Sequence, residues 1–208
     1  CAWLLVQHEA WELQLMVKHL GRTNSALNEE LKSPTYVGDF FLLFNMQNNF
    51  KAYYQSPLGY VEINANAKSI KSIQFIDGEP DEVENSTEII AVCIKQLDQY
   101  FNGRRKKFDF KLQMDGTPFQ IMVWNELLKI EQGVTISYNQ LAMQIKDKRL
   151  ARAIGNAVSK NKLLIVVPCH RVIGNNGQLV GYAGGIWRKQ WLLEFERSFF
   201  PNYQSKMF

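Results

Sequence analysis

A thiol, an imidazole and a guanidinium follow one another at Cys169, His170 and Arg171. A cysteine becomes a good nucleophile when a neighbouring cation, imidazole or helix N-terminus raises its thiolate fraction. The other two histidines, His8 and His19, lie far away in the sequence. A histidine that activates Cys169 is therefore His170 or one of that N-terminal pair. This disfavours a papain-like hydrolase, which requires a histidine distant from the cysteine in sequence.

The same two residues also fit a structural role, as a buried cysteine capped by a buried histidine. Neighbouring side chains on an extended strand point to opposite faces. Contact between the thiol of Cys169 and the ring of His170 therefore requires a turn or a bridging water. Taken alone, the pair favours the structural interpretation, so the surrounding sequence has to decide.

The three cysteines, Cys1, Cys93 and Cys169, are sparse and form no CxxC pair, and the histidines have no zinc-binding spacing. We therefore expect no disulfide framework, no metal and no cofactor. A reducing compartment follows, the cytoplasm or, in a eukaryote, the nucleus. Cys93 lies on the apolar face of a predicted helix and is interpreted as a small buried hydrophobe. No run of about 18 apolar residues predicts a membrane span.

Charge is unevenly distributed along the 208 residues, whose formal net charge is +4. Residues 1–113 have a net charge of −2, and residues 114–208 a net charge of +6. Residues 141–171 contain seven Lys or Arg side chains and a single acidic residue, Asp147. Such a basic cluster favours an anionic partner, nucleic acid first, although a solvated helix face explains it equally well.

The first half of the chain predicts an extension followed by a small α/β domain over residues 46–113. Residues 1–45 carry no chemical motif, and their role is unknown. Alternating apolar residues predict strands at 50–54, 60–65 and 69–75, the first two forming a hairpin. Helical spacing predicts a helix over residues 87–101 with Ser86 as its N-cap.

The second half, residues 114–208, predicts a mainly helical domain. A helix begins at Pro118 and runs through residues 119–129. Two short helices at residues 137–146 and 149–160, the second of them basic, are typical of a helix-turn-helix. An apolar run at residues 163–167 predicts a buried strand that ends at Pro168. Five glycines then follow within twelve residues, and they precede a last helix at about residues 187–195.

Several runs of this second half resemble a known family in the right order. VPCHRVIG at residues 167–174 resembles the active-site signature of the O6-alkylguanine-DNA alkyltransferases, also called methylated-DNA–protein-cysteine methyltransferases. The other matching runs are SYNQLA at 137–142, ARAIGNA at 151–157, GYAGG at 181–185 and WLLEFE at 191–196. The resemblance is strong over residues 114–197. It is weak over residues 46–113, where YQSPLG at 54–59 carries it.

The resemblance implies an α/β (α+β) fold. Its small N-terminal domain, a β-sheet with a helix, would be of the ribonuclease H-like type and precede a winged helix-turn-helix domain carrying the active site. The implied activity is irreversible, single-turnover transfer of a methyl or alkyl group from O6 of guanine to Cys169, with base flipping. O4 of thymine is a second candidate alkyl donor. The implied partner is double-stranded DNA containing O6-alkylguanine, bound by a monomer without a membrane.

Four catalytic roles are implied by the resemblance. Cys169 would be the nucleophile, and His170 would act as a base through a water. Glu196 would orient the imidazole, and its carboxylate would favour the imidazolium that forms. Asn161 would tie the helix-turn-helix to the active-site strand by hydrogen bonds.

The resemblance also implies a set of substrate- and DNA-binding residues. Tyr138 would press on the DNA backbone and donate to the base, and Arg152 would fill the place of the flipped guanine. Tyr182 and the backbone of Ala183 would wall the pocket, with the Ala183 amide replacing a hydroxyl contact to O6 that some relatives make. The carbonyls of Cys169 and Val172 would accept from the guanine amino group. The remaining predicted contacts are Arg171, Ala151 and Asn156.

Two further interpretations stay open at the level of sequence. One is a winged-helix DNA-binding regulator without chemistry, which would not need Cys169. The other is a non-catalytic alkyltransferase-like binder of damaged bases, a group in which the cysteine is replaced. The presence of Cys169 disfavours this second interpretation.

Overall fold

The computed structural model describes residues 49–80, 86–145 and 148–199. The predicted extension, residues 1–45, lies outside the described residues. The predicted α/β class is confirmed, because a small sheet with one helix precedes a mainly helical part.

A three-stranded antiparallel sheet forms the first part, with strands β1 (Phe50–Ser56), β2 (Gly59–Ala65) and β3 (Ile70–Phe75) in that order. The predicted hairpin between β1 and β2 is confirmed. Its tight turn needs Gly59, whose φ of 103° lies in the left-handed region. The Ser56 hydroxyl fixes the turn by donating to the Gly59 carbonyl at 2.7 Å and accepting from the Leu58 amide at 3.1 Å.

Helix α1 (Glu88–Phe101) covers one face of this sheet. Its N-cap is Thr87 rather than the predicted Ser86. The Thr87 side chain makes no capping hydrogen bond. The buried side of α1 includes Ile90, Cys93 and Leu97, all fully buried. Cys93 is therefore the small buried hydrophobe that its apolar neighbours predict, and burial raises the pKa of its thiol.

The helical part begins with three α-helices, α2 (Pro118–Leu127), α3 (Tyr138–Gln144) and α4 (Ala151–Ser159). Capping boxes start α2 and α3. In each, a hydroxyl accepts from the amide three residues on, and a glutamine side chain bonds back to the cap amide. A 3₁₀ turn at Lys148–Leu150 leads into α4. The two helices predicted at residues 137–146 and 149–160 are thus present but shorter than their apolar pattern.

The strand predicted at residues 163–167 is wrong. These residues are buried but form an irregular turn, with a single bridge from Leu163 to Ile73. The Val167 amide bonds to the Leu163 carbonyl at 2.8 Å, and Ile165 adopts a φ of 70°. An apolar run reports burial, and burial is compatible with a compact turn whose backbone groups bond locally.

A 3₁₀ turn at Cys169–Arg171 comes next and leads into strand β5 (Val172–Ile173), which pairs in parallel with β4 (Ile136–Ser137). The chain ends its described part with helix α5 (Ile186–Phe199), longer at its C-terminal end than predicted. Between β5 and α5 lies the glycine-rich loop that follows the 3₁₀ turn.

The capping box of α3 provides a test of this local architecture. Ser137→Ala removes the hydroxyl that accepts from the Gln140 amide at 3.1 Å. We expect the free energy of unfolding to fall by about 1 kcal/mol, because one helix donor loses its partner. Urea denaturation followed by circular dichroism measures this change. Ser198→Ala removes an exposed hydroxyl and should change the free energy by less than about 0.5 kcal/mol; equal losses in the two variants would contradict the assignment.

Candidate active site

Cys169 lies at a cavity of about 230 Å³ between helices α3 and α4 and the glycine-rich loop. Only 3% of its surface is exposed. Cys169 and His170 lie in a 3₁₀ turn, Cys169–Arg171, and not on an extended strand. This is the turn that the sequence requires for the two side chains to act together. The cavity is lined by Tyr138, Gly155, Val158, Ser159, Cys169, Gly181, Tyr182 and Ala183.

Asn161 connects the residues just after α4 to the thiol of Cys169. Its amide group donates to Sγ of Cys169 at 3.1 Å and to the Val167 carbonyl at 2.9 Å. Its Oδ1 accepts from the Leu163 amide at 2.9 Å. One side chain therefore fixes both ends of the irregular segment that carries the thiol.

The environment of Cys169 holds it as a thiol at neutral pH. Burial raises its pKa to about 11, opposed by the Asn161 hydrogen bond, the charge of Lys189 and nearby backbone amides. Nucleophilic attack therefore requires a base, because the thiolate is the reactive form.

His170 and Glu196 form a buried pair. Nε2 of His170 lies 3.0 Å from Oε1 of Glu196, and both side chains are fully buried. Among the described residues, Nδ1 of His170 has no hydrogen-bond partner. If Nε2 carries the proton toward the carboxylate, Nδ1 is free to accept one. Burial lowers the pKa of His170, and Glu196 partly offsets this effect.

Glu196 is the acceptor for several other donors. Arg171 donates from Nε to Oε2 at 2.9 Å and from Nη2 to Oε1 at 2.7 Å. The Gly133 amide donates to Oε2 at 3.1 Å, and the Tyr100 hydroxyl donates to Oε1 at 2.8 Å. Burial opposes ionisation, but His170 and Arg171 outweigh it and hold the pKa of the Glu196 carboxyl well below its usual range. The carboxylate is therefore charged whenever the protein is folded at neutral pH.

Two matching family models cover the described residues almost completely. The model described as "6-O-methylguanine DNA methyltransferase, ribonuclease-like domain" matches residues 49–114. The model of the DNA binding domain of the same family matches residues 118–198. The chain belongs to the 6-O-methylguanine DNA methyltransferase family. The predicted resemblance is thus confirmed at the level of the family.

Relatives and solved structures agree with this assignment. The chain is similar to methylated-DNA–protein-cysteine methyltransferases. It is 39% identical to that of Methanosarcina acetivorans, over 72% of this chain and 99% of the relative. The Mycobacterium leprae protein is 43% identical, covering 68% and 88%. The crystal structure of Mycobacterium tuberculosis O6-methylguanine methyltransferase has a TM-score of 0.66 at 36% identity, covering 73% and 94%. Mycobacterium tuberculosis OGT in complex with DNA has a TM-score of 0.65 at 38% identity, covering 71% and 92%.

The predicted pocket walls of this methyltransferase-family chain come from two elements. Tyr138 opens α3, and Tyr182 and Ala183 belong to the glycine-rich loop. The Tyr182 ring meets the His170 ring edge-on, with centroids 6.3 Å apart. A Cβ on Gly184 would approach the Tyr182 ring to 2.7 Å and the Phe75 ring to 2.8 Å. Glycine at 184 therefore allows the loop to pack tightly against both rings.

The residues predicted to meet DNA along α4 differ in exposure. Arg152 and Asn156 are exposed, and Ala151 is half-buried. Exposed lysines at 160 and 162 follow the helix. Arg152 and these two lysines are therefore accessible on or just after the helix that contributes Gly155, Val158 and Ser159 to the cavity wall.

Arg171 and Val172 are placed differently from their predicted roles. Arg171 was predicted among the DNA contacts, but only 6% of its surface is exposed and its guanidinium bonds to Glu196 and the Ile130 carbonyl. The Arg171 guanidinium is therefore engaged within the protein, and its contact with DNA stays a prediction. The Val172 carbonyl already accepts from Nζ of Lys189 at 2.6 Å, although a second lone pair remains.

Lys189 is a site residue that the sequence interpretation missed. Its side chain is fully buried, and Nζ donates to the carbonyls of Val172, Val180 and Gly181 at 2.6, 2.8 and 3.3 Å. The lysine thereby ties β5 to the glycine-rich loop. Helical spacing could have indicated its burial, because Lys189, Leu192 and Glu196 fall on one buried face of α5.

Residues 49–80, 86–145 and 148–199 contain no group of three or more His, Cys, Asp or Glu side chains that could hold a metal ion. No helix in those ranges is both long and apolar enough to cross a bilayer.

The charge of Lys189 predicts a measurable effect on the thiol. Burial lowers the pKa of Lys189 to about 8, so the ammonium is charged below that pH and favours the Cys169 thiolate. Lys189→Met should raise the thiol pKa and slow alkylation by iodoacetamide about threefold to tenfold below pH 8, equivalent to half to one pKa unit. The difference should narrow above pH 8, where the wild-type lysine loses its proton.

Arg197→Met is the matched control, because it removes a cation from an exposed position of the same helix. Its thiol reactivity should equal that of the unmodified chain at every pH. A Lys189→Met variant with unchanged reactivity across the pH range would show that the lysine does not support the thiolate.

Proposed function

We propose that the chain repairs alkylated duplex DNA by transferring the alkyl group from O6 of guanine to Sγ of Cys169. One observation carries this proposal. The Cys169 thiol lies at a cavity bounded by helices α3 and α4, and the next residue of the same 3₁₀ turn is His170, whose Nε2 is bound to Glu196 while Nδ1 has no partner among the described residues. A binding-only protein has no need for a buried thiol with a positioned base.

The reaction begins with proton removal. His170 accepts the thiol proton at Nδ1 through a water, and the Glu196 carboxylate stabilises the imidazolium that results. The thiolate then attacks the alkyl carbon. A new S–C bond forms, the C–O6 bond breaks, and its electron pair stays on guanine, which is reprotonated by the proton that left the thiol. Tyr138, in the cavity wall, is the proposed donor to the base.

The burial of Cys169 supports base flipping. With 3% of its surface exposed, Sγ is out of reach of a base stacked in a duplex. The target nucleotide must therefore be extruded into the cavity, which costs a few kcal/mol and least for a damaged pair. Exposed Arg152 on α4 fills the vacated stack in this proposal. The Ala183 amide donates to O6, because alanine offers no hydroxyl.

Turnover is proposed to be single, because the thioether product is stable. O4-alkylthymine is the second candidate substrate. Transfer rates from two duplexes that differ only in the lesion, O6-alkylguanine or O4-alkylthymine, test this candidate. Exposed Lys160 and Lys162 are proposed to bind DNA phosphates whatever the base sequence, so affinity should fall with salt. The acting species is proposed to be the monomer.

Transfer of a labelled methyl group tests the proposal. After incubation with a duplex that carries O6-methylguanine, mass spectrometry should find one methyl group on Cys169 per protein molecule. Cys169→Ala should acquire none, whereas Cys93→Ala, which removes the other described thiol, should be labelled like the unmodified chain. Methylation of Cys169→Ala, or many turnovers per molecule, would contradict the proposal. Unchanged DNA binding without any transfer would favour the winged-helix regulator instead.

Arg152→Ala separates extrusion from chemistry. The variant should transfer methyl groups from duplex DNA about 10-fold to 100-fold more slowly, because unstacking costs a few kcal/mol and loses its compensation. Transfer from the free O6-methylguanine base should be unchanged, because no stack is opened. Equal slowing of both reactions would argue that Arg152 acts on the pocket itself. Lys162→Ala controls for the loss of a phosphate-binding charge.

A further inference from the structure

Tyr100 brings a side chain from the ribonuclease-like part of the chain to the charged centre of the site. It lies near the end of α1, within residues 49–114, and only 1% of its surface is exposed. Its hydroxyl donates to Oε1 of Glu196 at 2.8 Å. Nε2 of His170 meets the same oxygen at 3.0 Å. The two groups therefore share one acceptor atom across the two parts of the family fold.

The ring of Tyr100 is fixed on several sides. It meets Phe101 edge-on at 5.2 Å between centroids, and it packs against Phe108 at 5.7 Å and Phe195 at 5.5 Å. Burial, with the negative charge of Glu196, holds the pKa of Tyr100 well above its usual value. The hydroxyl therefore keeps its proton and can act on Glu196 only as a donor.

A donor to Oε1 changes what the carboxylate offers to the imidazole. A hydrogen bond to an ionised oxygen draws charge from it and weakens its attraction for a second partner. Glu196 is the negative group that favours the His170 imidazolium. The other groups that act on the ring are Arg171 and Lys189, which disfavour the imidazolium, together with Tyr182, which packs edge-on. Cys169 precedes it in the same turn.

We propose that Tyr100 is a positioning residue that sets the basicity of His170 through Glu196, an inference that rests on the proposed transfer reaction. The ribonuclease-like part thus contributes to the reaction centre in addition to supporting it. Tyr100 limits how strongly Glu196 holds the imidazolium. The base can then take the thiol proton and also release it to the departing guanine.

Tyr100→Phe removes the donor and keeps the ring contacts. With one donor fewer, Oε1 attracts the imidazolium more strongly, so the His170 pKa should rise. The pH below which the rate of methyl transfer falls should therefore move upward by about half a pH unit, because Glu196 has lost one hydrogen bond that weakened its attraction for the imidazolium. Tyr54→Phe is the matched control, because its ring packs on Phe101 in the same aromatic cluster. Its profile should match that of the unmodified chain.

Nuclear magnetic resonance titration of the His170 ring is the second measurement, and it needs no alkylated DNA. A rise in the His170 pKa in Tyr100→Phe, with none in Tyr54→Phe, is the expected result. A lower melting temperature with an unchanged His170 pKa and an unchanged pH profile would overturn the proposal and leave Tyr100 a packing residue. Absence of transfer in the unmodified chain would overturn the proposed function instead, and the titration would still decide the role of Tyr100.

Discussion

An ionised carboxylate without water must be surrounded by donors, and the buried Glu196 imposes that requirement on the whole site. Its two oxygens take donors from Tyr100 on α1, the Gly133 amide after α2, His170 and Arg171. Removing water from such a charge costs several kcal/mol, which only well-placed partners offset. The ends of separate elements are therefore held in fixed positions around one group. The His170 imidazole is held by the same group.

A second buried charge is satisfied in a different way. The ammonium of Lys189 has three protons, and three backbone carbonyls accept them. No carboxylate neutralises it among the described ion pairs, so its net charge still acts on its surroundings, the Cys169 thiol included. The balance at the thiol is between burial, which disfavours the thiolate, and this charge together with Asn161, which favour it. Because burial prevails, Cys169 remains a thiol at neutral pH.

Local chemistry made much of the fold and part of the site predictable from sequence. The hairpin followed from alternation with a Ser56–Gly59 turn, and α2 and α3 followed from their capping residues. The placement of Cys169 beside a helix pair followed from motif order. The contacts that the sequence did not indicate depend on long-range partners. The carboxylate partner of Arg171 is 25 residues away in sequence. The turn at residues 163–167 looked like a strand because apolar residues report burial, not backbone geometry.

Tyr100 shows why such long-range contacts cannot be predicted from the sequence. On α1 it follows the apolar spacing of an ordinary core residue, and nothing local distinguishes it from Phe101. Its hydroxyl acquires meaning only when Glu196, 96 residues further along, arrives beside it. A buried tyrosine hydroxyl without a partner would be costly, and so would a buried carboxylate with one donor fewer. Both costs are avoided when the ribonuclease-like part and the DNA-binding part fold together. The hydrogen bond that joins these two parts therefore also supplies one of the donors that Glu196 needs.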